Sequence, residues 1–130
     1  VDKNIIYVMM EIRQETDYAI HHIQKVLAFF AALRAFAEHL RNKGHRVIYL
    51  KLDDPGNRQR LGANIRTILD QHNIGGFEYL LPDEYRLDSQ FKELTKTLPV
   101  PCHAADTEHF LTVREDLTQW FSGKKRYLME

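Results

Sequence analysis

Residues 5–10 are an unbroken apolar run, Ile5-Ile6-Tyr7-Val8-Met9-Met10, rich in β-branched and aromatic side chains. That pattern predicts a strand buried on both faces. The polar stretch 11–16 reads as a loop, and Asp17 is placed to cap the helix after it. From residue 18 to about 43, Ile20, Ile23, Val26, Leu27, Phe30, Leu33, Ala37 and Leu40 recur at spacings of three and four, and Phe29 and Phe36 widen the stripe. This predicts a helix roughly 35–40 Å long, more than an ordinary crossover helix needs. Gly44 is its expected stop, behind Arg41 and Lys43, which suit the negative end of the helix dipole. A second strand is expected over 47–52, a turn over 53–57, and a helix over 58–72 with Leu61, Ile65, Ile68 and Leu69 as its apolar stripe. A third strand is expected over 77–81 and a third helix over about 84–97. Residues 99–104 are extended, and their prolines suit an edge strand. Residues 117–121 read as a short helix ended by Gly123. Strands alternating with helices through short joins predict βαβ units. The expected fold is α/β, a single three-layer Rossmann-like domain over 1–130 with a mostly parallel sheet flanked by helices.

Composition narrows the function classes. The chain has 44% apolar and 28% charged residues, ordinary for a globular protein with a core. Lys plus Arg and Asp plus Glu number 18 each, so net charge is zero. A main DNA-binding surface normally carries a basic excess, which argues against one here. The lone Cys102 excludes an internal disulfide and any complete Cys-based zinc or iron–sulfur site, and makes the cytoplasm the natural compartment. No apolar run approaches the roughly 20 residues that span a bilayer, so no membrane association is expected. The chain opens on Val1 almost directly into a strand, without signal-peptide layout or initiator Met, and is expected to begin mid-protein.

In open parallel sheets, ligands sit beyond the carboxyl ends of the strands. Here those ends carry Glu11 and Glu15, Asp53 and Asp54, Asp83 and Glu84, and Asp106 and Glu108. Neither G-x-G-x-x-G nor G-x-x-x-x-G-K-[ST] occurs, and an acidic rim repels phosphate. It can instead accept hydrogen bonds from ring N–H groups or sugar hydroxyls. Asp17, Asp54 and Asp83 precede helices, where capping is the default role. Glu11 and Glu15 have no such role, and for them ligand contact weighs evenly against a merely structural place. His21 and His22 are adjacent on a helix and cannot face one metal together. Cys102, His103 and His109 lack metal spacing, Phe29, Phe30 and Phe36 fit a core better than a stacking platform, and Arg13, Lys25 and Arg34 form no nucleic-acid stripe. The cluster Lys124-Lys125-Arg126-Tyr127 reads as a solvated terminus.

Taken in order, Tyr7-Val8-Met9-Met10-Glu11, Glu15-Thr16-Asp17-Tyr18, His21-His22, Gly44-His45-Arg46-Val47, Leu52-Asp53-Asp54, Pro82-Asp83-Glu84-Tyr85-Arg86-Leu87 and the closing Gly123-Lys124-Lys125 with Tyr127-Leu128-Met129-Glu130 resemble the deoxyribodipyrimidine photolyase-related proteins. The resemblance covers essentially the whole chain. It implies a flavoprotein whose FAD and iron–sulfur cluster sit in a C-terminal helical domain, and light-driven repair of (6-4) photoproducts in damaged DNA. The full-length protein would be a carbon–carbon lyase, with this segment not itself catalytic. The resemblance further implies that the N-terminal α/β domain holds an antenna chromophore, a ribityl-lumazine, against Met10, Glu11, Glu15, Tyr18 and Phe29. Glu15 would accept hydrogen bonds from the ring or ribityl group, Tyr18 would help close the pocket, and Phe29 would wall it. Family sequences begin with a strand ending in Gly-Asp-Gln-Leu that has no counterpart before Val1. The chain is therefore expected to be cut at both ends, with a helical domain after Glu130. Two other readings stand beside this one: a cryptochrome-like light-signalling protein, and a cofactor-free α/β interaction module.

Overall fold

The computed structural model describes residues 1–123 apart from Glu108 and Phe110. The expectations placed on Glu108 and on 124–130, including the basic cluster and the closing family motif, lie outside the described residues. The fold is α/β with parallel strand pairing, as expected, and the described residues form two two-stranded sheets. The chain divides into two compact units, Val1–Asn73 and Ile74–Glu130.

In the first unit, β1 (Ile6–Met10) pairs in parallel with β2 (Arg46–Leu50), from Ile6 opposite Arg46 to Met10 opposite Leu50. A parallel pair needs a crossover, and α2 (Ile23–Asn42) supplies it, packing on β2. Phe30 and Ala37 are buried on its inner face, with Val26, Leu33 and Leu40 half-buried beside them. The helix ends at Gly44, whose φ of +88° is the left-handed conformation expected of a C′ glycine. His45 N–H donates to the Leu40 carbonyl at 3.0 Å and Gly44 N–H to that of Arg41 at 2.8 Å, closing a Schellman motif. Next, α3 (Leu61–Gln71) buries Ile65 and Ile68 together with Asn64.

The second unit pairs β3 (Phe77–Leu80) with β4 (Cys102–Ala105), again in parallel, across α4 (Tyr85–Thr95). Phe91 of α4 stacks on Tyr79 of β3, ring centroids 4.5 Å apart, and Phe77 extends the stack. Leu94 is buried. The last described helix is α5 (Arg114–Phe121), three residues longer at its start than the sequence suggests.

Helix starts depart most from expectation. Residues 13–16, expected as loop, form the single-turn helix α1 (Arg13–Thr16), and α2 begins at Ile23 rather than at 18. His22 caps α2, its Nδ1 accepting from Gln24 N–H at 3.2 Å, while Asp17 closes α1 and accepts from the Thr16 hydroxyl. Asp54 accepts from Lys51 N–H at 2.6 Å, a turn contact that also ends β2 at Leu50 instead of 52. Asp83 faces Arg114 and His109, and Glu84 caps α4 through the N–H groups of Arg86 and Leu87. All three aspartates expected to cap helices are thus engaged otherwise. A short acidic side chain binds whichever N–H or cation the folded chain brings within reach.

Candidate functional site

The richest polar cluster among the described residues lies where β1 and β2 end. Glu11 directly follows β1, and its side chain has 0% exposure. A buried carboxylate survives only with its lone pairs filled. Oε1 accepts from Arg34 Nε at 2.5 Å and from the Tyr49 hydroxyl at 2.6 Å. Oε2 accepts from Arg34 Nη2 at 2.8 Å and from Leu52 N–H at 3.0 Å. The bidentate Arg34 contact is the main reason its carboxyl pKa falls from 4.5 to about 2, with Tyr49 and Leu52 N–H adding to it against the opposing pull of burial. The same contact raises the pKa of Arg34. Burial, and then the hydrogen bond to Glu11, push the Tyr49 phenol up to about 12.

Two buried asparagines extend this cluster beneath the loops. Asn57 Nδ2 donates to the carbonyls of Glu11 at 2.6 Å and Lys51 at 2.8 Å, while its Oδ1 accepts from Asn64 Nδ2 at 2.9 Å and Gln59 N–H at 2.9 Å. Asn64 Oδ1 accepts from Arg58 N–H, and its Nδ2 reaches Met10 Sδ at 3.5 Å. Above them two glutamines clasp the loops to each other. Gln59, held at a φ of +60°, accepts Arg13 N–H on its side-chain oxygen and Gln14 N–H on its carbonyl. Gln14 returns the contact by accepting Leu61 N–H at 3.1 Å, so the first turn of α3 is capped from α1.

Arg34 also fixes the height of α2 against the strands. A crossover helix runs antiparallel to its strands, so residues before Arg34 lie beyond the strand ends. Allowing for the lean of the arginine side chain toward the helix N-terminus, residues 23–33 overhang those ends by on the order of 10–15 Å. Ile23, Leu27 and Phe29 on this overhang are all exposed.

The five residues expected to contact a ligand are distributed around this feature. Met10 and Glu11 belong to the network already described. Glu15, half-buried on α1, accepts from Gln14 Nε2 at 3.0 Å. Tyr18 is exposed, with its ring edge-on to His21 at 5.0 Å. Phe29 is 59% exposed, with Phe30 as its ring neighbour at 6.1 Å. Sequence reasoning missed Arg34, Tyr49, Asn57, Asn64 and both glutamines. Arg34 had a signal: it lies one turn after the buried Phe30, on the edge of the apolar stripe, where a cation can reach a carboxylate after the strand. The asparagines had none, because the backbone partners of Asn57 lie 46 and 6 residues away.

A cavity of about 130 Å³ between β2 and α3 is lined by Ile48, Leu50, Arg58, Asn64, Thr67 and Ile68 among others. It is smaller than the roughly 300–1,000 Å³ typical of ligand pockets. Among the described residues no group of three or more His, Cys, Asp or Glu could hold a metal ion. No helix among them is long and apolar enough to cross a membrane.

Comparison with known proteins adds a family. The sequence model of the deoxyribodipyrimidine photo-lyase-related proteins matches residues 1–130. A curated relative, a "(6-4) photolyase" of Agrobacterium fabrum (strain C58 / ATCC 33970), is 28% identical over 123 residues, covering 95% of this chain. The chain spans 24% of that relative's length.

Proposed function

Since the chain belongs to the deoxyribodipyrimidine photolyase-related family, we propose that it is the antenna-chromophore domain of a light-driven, FAD-dependent DNA-repair protein. The overhang of α2 carries this reading. It raises exposed Phe29 beside the strand ends, where α/β sheets bind ligands, and offers an aromatic heterocycle an apolar face. In this reading Phe29 is the wall, Tyr18 closes the crevice, and Glu15 accepts from ring N–H or ribityl hydroxyl groups. Met10 and Glu11 form its floor. All four Glu11 lone-pair positions are filled by protein donors, so its part is to fix Arg34 and the backbone of Leu52.

The bound group is a ribityl-lumazine-like chromophore that absorbs light and passes excitation to a flavin. FAD, the iron–sulfur cluster and the contact with damaged DNA belong to the remainder of the protein, a helical domain that is also this domain's partner. The reading includes the three-layer Rossmann-like architecture expected from strands alternating with helices. Its test is the absorption spectrum of the purified full-length protein, with a repair assay on (6-4) lesion-bearing DNA under blue light. Bands from a flavin and from a second chromophore are expected. A pure protein with no flavin, no second chromophore, and no cluster after anaerobic reconstitution would sink it.

A further inference from the structure

We infer that the flank of α2 from Leu33 to Leu40 is a docking face for a helix with acidic margins, supplied by the same polypeptide from outside residues 1–130. The inference rests on the reading of this chain as one domain of a longer protein, and not on a bound chromophore.

A crossover helix needs one apolar face, toward its sheet, and α2 carries two. At 3.6 residues per turn, Phe29, Leu33, Phe36 and Leu40 fall within about 60° of one another. The line through the buried Phe30 and Ala37 lies roughly 80° farther around the helix. The first stripe therefore points sideways, along the helical layer, rather than down at the strands. Phe36 is 53% exposed, Leu33 and Leu40 are half-buried, and Ala32 at the edge of the stripe is exposed. Single exposed apolar side chains are ordinary, but a continuous line of them marks a contact surface. A further strand in the sheet would lie below the flank, so only an element of the same layer reaches it. Spacings of four, three and four run this seam nearly along the helix axis, the pattern into which a neighbouring helix packs at about 20°. Phe29 stands one turn above Leu33 on the overhang and is left to the crevice.

Charge and size select the occupant. Lys25, His39 and Lys43 border the seam, all exposed, while Glu38, the one acid of α2, lies on the opposite side. A second copy laid on this face, in either direction, would set cations against cations. A helix with Asp or Glu along its margins pairs with them instead. The seam is short beside the roughly 1,200–2,000 Å² that a separate, stably bound protein buries. It suffices for a segment of the same polypeptide, which meets it at high effective concentration. This chain spans 24% of the length of its Agrobacterium relative, and a protein of that size has further chain to supply the helix.

The experiment replaces Phe36 with the photo-crosslinker p-benzoylphenylalanine in the full-length protein, which keeps a ring at that position. Irradiation is expected to link it, within one monomer, to an acidic helical peptide from outside residues 1–130. A link to a second copy, to another protein or to residues 1–130 overturns the inference, and so does no link at all. Alkylation gives a second readout, with Phe36→Cys and Glu38→Cys made separately in the full-length protein and followed by peptide mass spectrometry. The thiol at position 36 is expected to react at least about tenfold more slowly than the one at position 38, which faces solvent. Comparable rates show an open flank and overturn the inference. Adding Lys43→Glu to Phe36→Cys sets like charges across the seam, and should speed alkylation at position 36 about tenfold at low salt and less at high salt. An unchanged rate overturns the acidic margin and the inference with it. A full-length protein without a second chromophore overturns the antenna reading and leaves the crosslink as expected.

Discussion

At the scale of single residues, Glu11 shows the cost of a buried charge and the order it imposes. Its folded pKa of about 2 lies below its ordinary 4.5. The stability it contributes is therefore complete above about pH 4.5 and is lost as pH falls toward 2. A shift of that size is worth at most ~3 kcal/mol, and less here because Arg34 is half in solvent. Replacing Glu11 with Gln should lower stability by about 2–3 kcal/mol at pH 7 and by much less at pH 3, seen as converging urea midpoints. Tyr49 works in the opposite direction. Its phenol is raised from 10.0 to about 12, so its contribution is intact below pH 10 and lost as pH rises through 12. Spectrophotometric titration at alkaline pH should show a late phase from Tyr49, which Tyr49→Phe should abolish. Asn57→Asp removes two donors from buried carbonyls and places a charge beside them, for a loss of about 2–4 kcal/mol in denaturant unfolding. The sequence marks Glu11 as a carboxylate without a capping role. It does not distinguish a ligand's acceptor from an anchor, because that depends on Arg34, 23 residues away.

At the scale of elements, the interiors are legible in the sequence and the beginnings are not. The long stripe of α2 and its glycine stop follow from periodicity and from the left-handed conformation that Gly44 adopts at low cost. Gly44→Ala should cost about 1–2 kcal/mol from backbone strain alone, since the added Cβ meets nothing closer than Val1 Cγ2 at 3.9 Å. Helix starts escape the local pattern because capping groups come from other segments or from neighbouring residues. The first N–H of α3 is held by Gln14, 47 residues back along the chain. Gln14→Ala should lower the melting temperature by an amount equivalent to about 1 kcal/mol, like the loss of an ordinary N-cap, although Gln14 lies outside the helix it caps.

At the scale of the whole chain, the α/β class and parallel pairing can be read from strands alternating with amphipathic helices, since short joins force each parallel pair to be bridged by a helix. The division into compact units at Asn73 and Ile74 is not legible in the sequence. Gly75 and Gly76 follow that boundary with exposed backbone. Limited proteolysis should nick first within 73–76 and release fragments of about 73 and 57 residues. Local sequence suffices to set the strands and the longer helices, though not the single-turn α1, and to set which helix faces are apolar and which family the order of motifs resembles. All of these depend on neighbours within a few residues and on the periods of the helix and the strand. Tertiary contacts decide the rest: that Glu11 is filled by Arg34, Tyr49 and Leu52, that two glutamines cap across loops, and that α2 stands above the strand ends. Each is a meeting of residues far apart in sequence, and a hydrogen bond requires placement to within a few tenths of an ångström, which no local pattern encodes.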